Sequence, residues 1–123
     1  MILGIMSCNV YVDDFEKAVR FYGETLGLKR GGSMGDTSCF FWIGENQYGL
    51  FLDGGYKPIC INDDQTHAAF TLKVESAQSL FDRLKAAGAE ILSGAPKDMG
   101  KGYSWFQFRD PAGNILEAIS GPE

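Results

Sequence analysis

VDDFEKAVRFYGETLG, residues 12–27, and VESAQSLFDRLKAAGA, residues 74–89, align at an offset of 62 residues, and the fold follows from reading them together. Val12 falls on Val74, Val19 on Phe81 and Tyr22 on Leu84. In each stretch a capping residue, Asp13 or Asp14 in the first and Ser76 in the second, precedes apolar residues at helical spacing, and a glycine stands where the helix has to stop. The spacing predicts a helix running to about Leu26, packed through Ala18, Phe21, Tyr22, Thr25 and Leu26, and ended by Gly27. A second helix runs from Ala77 to about Ala87, packed through Leu80, Phe81 and Leu84, and ended by Gly88.

Each helix follows a strand. IMSCNVYV, residues 5–12, puts Cys8, Val10 and Val12 on one face and Ser7, Asn9 and Tyr11 on the other. HAAFTLKVE, residues 67–75, separates Phe70, Leu72 and Val74 from Ala69, Thr71 and Lys73 in the same way. Further strands are expected near 37–43 and 48–53, with Gly31 to Gly35 as the loop leading to them, and near 103–109 and 114–119. Asp110-Pro111-Ala112-Gly113 suits the type I turn between the last two. WIGENQYGLFL, residues 42–52, lies over FRDPAGNILEA, residues 108–118, at an offset of 66, so Trp42 meets Phe108 and Phe51 meets Glu117. The expected fold is α+β: two βαβββ repeats forming curved sheets around a cleft. The repeats cover about 1–54 and 67–121 of a single domain spanning 1–123. Residues 55–66 form the linker, with Ile59 to Ile61 as a candidate short strand.

Composition narrows the function. Eleven Lys and Arg against sixteen Asp and Glu give a formal charge of −5, which repels a nucleic acid backbone and favours cationic or neutral ligands. No apolar run approaches the ~20 residues of a membrane span, and the first residues lack a signal-peptide pattern, so no membrane partner and a cytoplasmic location are expected. Cys8, Cys39 and Cys60 are too widely spaced for a metal or redox motif and are expected to be reduced, with Cys8 in the core.

Val12-Asp13-Asp14 with Ala18, Phe21-Tyr22 and Leu26-Gly27-Leu28, followed by Phe108-Arg109-Asp110-Pro111-Ala112-Gly113-Asn114 leading into Leu116-Glu117, resembles the vicinal oxygen chelate superfamily. That superfamily includes glyoxalase I, extradiol dioxygenases, fosfomycin resistance proteins and bleomycin resistance proteins, and the chain is most similar to the small bleomycin resistance-like members. The resemblance covers nearly the whole chain. It implies that metal-dependent members draw their ligands from inward positions on the first and fourth strands of each half, which correspond here to Ser7, Phe51, Ala69 and Glu117. Phenylalanine and alanine carry no donor, so no metal and no cofactor are expected.

Glu117 is then expected to point into the cleft, toward a ligand or an internal partner such as a nearby tyrosine. His67, the only histidine, lies two residues before Ala69 on the same strand face. It is a candidate for a cleft hydrogen bond, an exposed residue at the strand start, or, through a bulge, a ligand near Glu117. Tyr11, Phe51 and Trp105, with Phe41 on a regular strand, are candidates for stacking on a ligand, or for filling the cleft or a dimer face. Trp42 and Phe108 are assigned to the helix-facing core. DMGKGYSW, residues 98–105, reads as a hairpin approach, with a lid as the other reading, and Asp110 as a turn former without a catalytic role.

The candidate ligand-binding set is therefore Ser7, Asn9, Tyr11, Phe51, His67, Trp105 and Glu117. The leading expectation is metal-independent binding of a small cationic or aromatic molecule, with antibiotic resistance by sequestration implied by the resemblance and no catalytic residue assigned. The alternatives are a metal-dependent lyase, isomerase or dioxygenase with a rearranged ligand set, and an interaction or structural module with a filled cleft. The small relatives also imply a homodimer.

Overall fold

A computed structural model describes residues 6–45, 48–57 and 68–122, together with Met1. The chain divides into two compact units, Met1–Pro58 and Ile59–Glu123. His67, Cys60, the candidate strand at 59–61 and most of the expected linker lie outside the described residues.

In the first unit β1 (Cys8–Tyr11), helix α1 (Phe15–Arg20), β2 (Lys29–Ser33), β3 (Ser38–Trp42) and β4 (Tyr48–Asp53) follow in chain order. The second unit repeats the pattern with β5 (Phe70–Lys73), α2 (Ala77–Ala86), β6 (Lys97–Gly100), β7 (Tyr103–Arg109) and β8 (Ile115–Ser120). Each unit holds one four-stranded mixed sheet, ordered β1-β4-β3-β2 and β5-β8-β7-β6, whose first and fourth strands run parallel. Two βαβββ modules are what the repeat predicts.

The caps sit as read. Asp14 accepts from the Lys17 N–H at 3.1 Å, and Ser76 from the Ser79 N–H at 3.1 Å, each satisfying a donor that the first helical turn leaves unpaired. The first helix is less regular than its spacing suggests. Residues Phe21–Thr25 widen into a π-helical turn, and Gly27, at φ 77°, ends it. The last turn opens around Phe21 and Tyr22, both buried, so tertiary packing outweighs the regular helical ladder there.

The helix-facing cores are apolar. In the first unit Val10, Val12, Cys39, Phe41, Leu50 and Leu52 are buried, with Phe41 beside Tyr22 at 6.2 Å between ring centroids. In the second, Phe106 lies between Phe81 at 5.8 Å and Phe108 at 5.5 Å. Phe41 therefore faces the helix, and the expectation that it lines the opposite face is wrong. Trp42 is half-buried against Phe40 at 5.4 Å and is not a helix-facing residue.

Both errors have one cause. Phe41 pairs with Leu50 and Phe108 with Leu116, so the repeat offset is 67 on the third strand of each unit and 66 on the fourth. A register shift between Phe41 and Trp42 takes up the difference. A one-residue slip exchanges the two faces of a strand, which places Phe41, and not Trp42, opposite Phe108 in the repeat.

Residues 31–33 are strand and not loop. Phe40 lies across Gly31 so closely that a Cβ there would meet its ring at 2.1 Å, and the absent side chain is what lets the aromatic cover the strand. Residues 97–105 form a β6–β7 hairpin turned through Gly100, Lys101 and Gly102, all at positive φ, so the lid reading gives way to the hairpin. Upstream of β6, Ile91 bridges Phe108, Leu92 N donates to the Gln107 carbonyl at 2.9 Å, and Ser93 Oγ accepts from the Gln107 N–H at 2.7 Å. These bonds extend the sheet edge past the hairpin.

The turn between β7 and β8 is built on Asp110. Its buried carboxylate accepts from the Ala112 N–H, the Asn114 N–H and Asn114 Nδ2, each at 2.9 Å. Arg109 donates to Glu90 and to the Gly113 carbonyl, both at 2.8 Å, and ties the same turn to the preceding segment. Among the described residues no helix is long and apolar enough to cross a membrane.

Candidate functional site

Parity places most of the expected site residues on the sheet faces opposite the helices, and strand register arranges them in rows. In the first unit Asn9, Phe51 and Phe40 occupy one row across β1, β4 and β3, and Tyr11, Asp53 and Ser38 the next. Phe40 contacts Phe51 at 5.8 Å and Trp42 at 5.4 Å, giving an aromatic row on this face. Ser7, just ahead of β1, donates to Asn9 Oδ1 at 2.8 Å, and Ser38 donates to Asp53 Oδ1 at 2.7 Å. Tyr11 and Tyr56 pack edge to face with centroids 4.9 Å apart.

The corresponding row of the second unit is polar. Thr71 and Gln107 are the register partners of Glu117 on either side. Thr71 Oγ1 donates to Glu117 Oε1 at 2.8 Å, and Gln107 Nε2 donates to Glu117 Oε2 at 2.8 Å. Both carboxylate oxygens are thus oriented by uncharged donors, and the internal partners, for which a nearby tyrosine was one candidate, are a threonine and a glutamine. Two such bonds direct the carboxylate without cancelling its charge, so it remains a preferred partner for a cation or a donor. Trp105 is half-buried on the same face, one row along, opposite Ile119.

The sequence reading missed Thr71, Gln107, Asp53, Tyr56 and Phe40. For Thr71 the signal was present, since it shares the face of Ala69 in the alternating run. Gln107 shares the parity of Trp105. Phe40 was hidden by the same one-residue slip that misplaced Phe41.

At the four positions that the resemblance assigns, the donors among the described residues do not fit a glyoxalase-type ion. Of the four matched positions, Phe51 and Ala69 offer no donor atom, Ser7 offers a neutral hydroxyl already bonded to Asn9, and Glu117 is held by Thr71 and Gln107. Among the described residues no three His, Cys, Asp or Glu side chains stand close enough to share an ion. His67 lies outside those residues.

Titration is perturbed at a core thiol. Burial pushes the Cys39 thiol above its ordinary value of 9.0, Arg30 opposes the shift, and Asp53 adds to it. A protonated, buried thiol is a poor nucleophile, so Cys39 belongs to the core.

Residues 4–118 match the family model described as the Glyoxalase/Bleomycin resistance protein/Dioxygenase superfamily. The chain belongs to this superfamily. Within it, the chain is 30% identical over 121 residues to metallothiol transferase FosB of Shouchella clausii, covering 98% of this chain and 82% of that protein. It is also 30% identical over 122 residues to glutathione transferase FosA of Serratia marcescens, covering 98% of this chain and 83% of that one. A crystal structure of the fosfomycin resistance protein FosX from Listeria monocytogenes, complexed with Mn(II) and sulfate, superposes with a TM-score of 0.76 at 19% identity, over 99% of this chain and 95% of that one. At that identity the likeness concerns the superfamily fold alone.

Proposed function

We propose that this superfamily member binds a small cationic or aromatic molecule without a resident metal, by contacts to the sheet faces opposite the helices. The observation that carries the reading is the Thr71–Glu117–Gln107 row: a carboxylate fixed in direction by two neutral donors, with no Lys or Arg paired to it among the described residues. A fixed, uncancelled carboxylate on the sheet face that also carries Trp105, one row along, suits a protonated amine carried on an aromatic body. Sequestration requires nothing more, because no bond is made or broken. Glu117, Trp105, Phe51, Tyr11, Asn9 and Ser7 are the contacts in this reading, His67 is a further candidate, and the binding species is a homodimer.

The test is a thermal-shift screen of metal-stripped protein against protonated aromatic amines and their neutral analogues. The expected result is stabilisation by the amines that Glu117→Gln abolishes. Stabilisation that appears only after a divalent ion is added would contradict it. That outcome would favour the second reading, a metal-dependent enzyme with a rearranged ligand set, which draws its support from the names of the FosB and FosA relatives.

A further inference from the structure

Tyr11 and Tyr56 stand at a near right angle, with ring planes 76° apart and centroids 4.9 Å apart, and remain 45% and 53% exposed. Packed edge to face, the two rings form an exposed corner between the face of one ring and the rim of the other. The corner is held in place by backbone: Tyr56 N donates to the Val12 carbonyl at 3.0 Å, and Val12 N donates to the Asp53 carbonyl at 2.8 Å. Asp53 is the register partner of Tyr11 on the parallel strand, so both side chains leave the same face. Its carboxylate is oriented by the hydroxyl of Ser38.

A second observation gives the corner its charge. Asp13, Asp14, Glu16 and Asp36 line an open depression of about 540 Å³ that reaches Gly55, the residue before Tyr56, while Asp13 lies two residues beyond Tyr11. Among the described residues its lining contains no basic residue. Arg20 and Arg30 line an adjoining depression that shares Phe15, Glu16 and Asp36 with it, so the carboxylates nearest Tyr11 and Gly55 that face no arginine are Asp13 and Asp14. Negative potential next to an exposed aromatic face discriminates for cations that shed water readily, since the ring quadrupole attracts positive charge while a strongly hydrated ammonium is costly to desolvate.

We propose that Tyr11, Tyr56 and Asp53 form a recognition corner for the head group of a quaternary or tertiary ammonium compound. The proposal rests on the reading that the chain binds a cationic small molecule, and it adds the class of cation and the first-unit residues that receive its head. The ring faces contact the N-methyl groups, and the carboxylates contribute at longer range.

Choline and its uncharged isostere 3,3-dimethylbutan-1-ol are suitable probes, titrated into the full chain by calorimetry. The expected result is saturable choline binding, with the alcohol weaker by at least about tenfold. Tyr56→Leu should weaken choline by about tenfold, Tyr56→Phe should retain affinity within about twofold because the π face survives, and Asp53→Asn should weaken it while keeping the acceptor for Ser38. Thermal melts check that each variant is folded. Equal binding of choline and the alcohol, an unchanged affinity in Tyr56→Leu, or no saturable choline binding overturns the corner. Those results leave the Glu117→Gln outcome with aromatic amines untouched, whereas a requirement for a divalent ion in that screen sinks the underlying reading by itself.

Discussion

Asp110 and Glu117 are seven residues apart and show two uses of one functional group. Asp110 is buried and accepts three hydrogen bonds inside its own turn, so removing it strands two backbone N–H groups and an amide. Asp110→Ala should destabilise the chain by about 2–4 kcal/mol, read as a lower urea midpoint with an unchanged slope. Glu117 accepts from side chains on neighbouring strands at a half-buried surface, where stability depends on it much less. Cys39 supplies the pH dependence at this scale. The unfolded thiol releases its proton near 9.0 while burial keeps the folded thiol protonated, so the native state binds more protons over that interval. Stability should fall as pH rises through it, and Cys39→Ala should flatten the fall in urea titrations made below and above that value.

At the scale of elements, β2 and β3 show where sequence legibility ends. Capping residues, helix-ending glycines and period-two alternation made both helices and most strands readable, because each signal acts within a few residues. The Gly31-Gly32 pair read as a loop because its strand state depends on Phe40, nine residues away from Gly31, lying over bare backbone. Gly31→Ala should therefore cost about 1–3 kcal/mol, since Phe40 is wedged between Trp42 and Phe51 and has little room to yield. A double-mutant cycle with Phe40→Ala should recover much of that loss; strict additivity would show that the contact is unimportant. The slip that misassigned Phe41 and Trp42 has a similar origin. Repeat alignment sees one offset, whereas strand register distinguishes 66 from 67 through a bulge that leaves no compositional mark.

At the scale of the molecule, the two units share a βαβββ plan and differ in what they carry on the same row. The first unit sets Phe51 against Phe40, and the second sets Glu117 between Thr71 and Gln107. Membership of the superfamily was legible in the helix and turn motifs, and so was the placement of Glu117 opposite the helix. The partners of Glu117 were not, because they come from β5 and β7 and meet only through long-range register. In the proposed function this carboxylate binds the ligand in a protein without a resident metal. The most direct measurement is elemental mass spectrometry for Mn, Fe, Co, Ni and Zn on protein purified without chelator or metal-binding tag, repeated after loading with each ion and gel filtration. Retention far below one ion per chain is expected for every metal, in wild type and Glu117→Gln alike. An ion retained at one per chain in the wild type and lost in Glu117→Gln would contradict it.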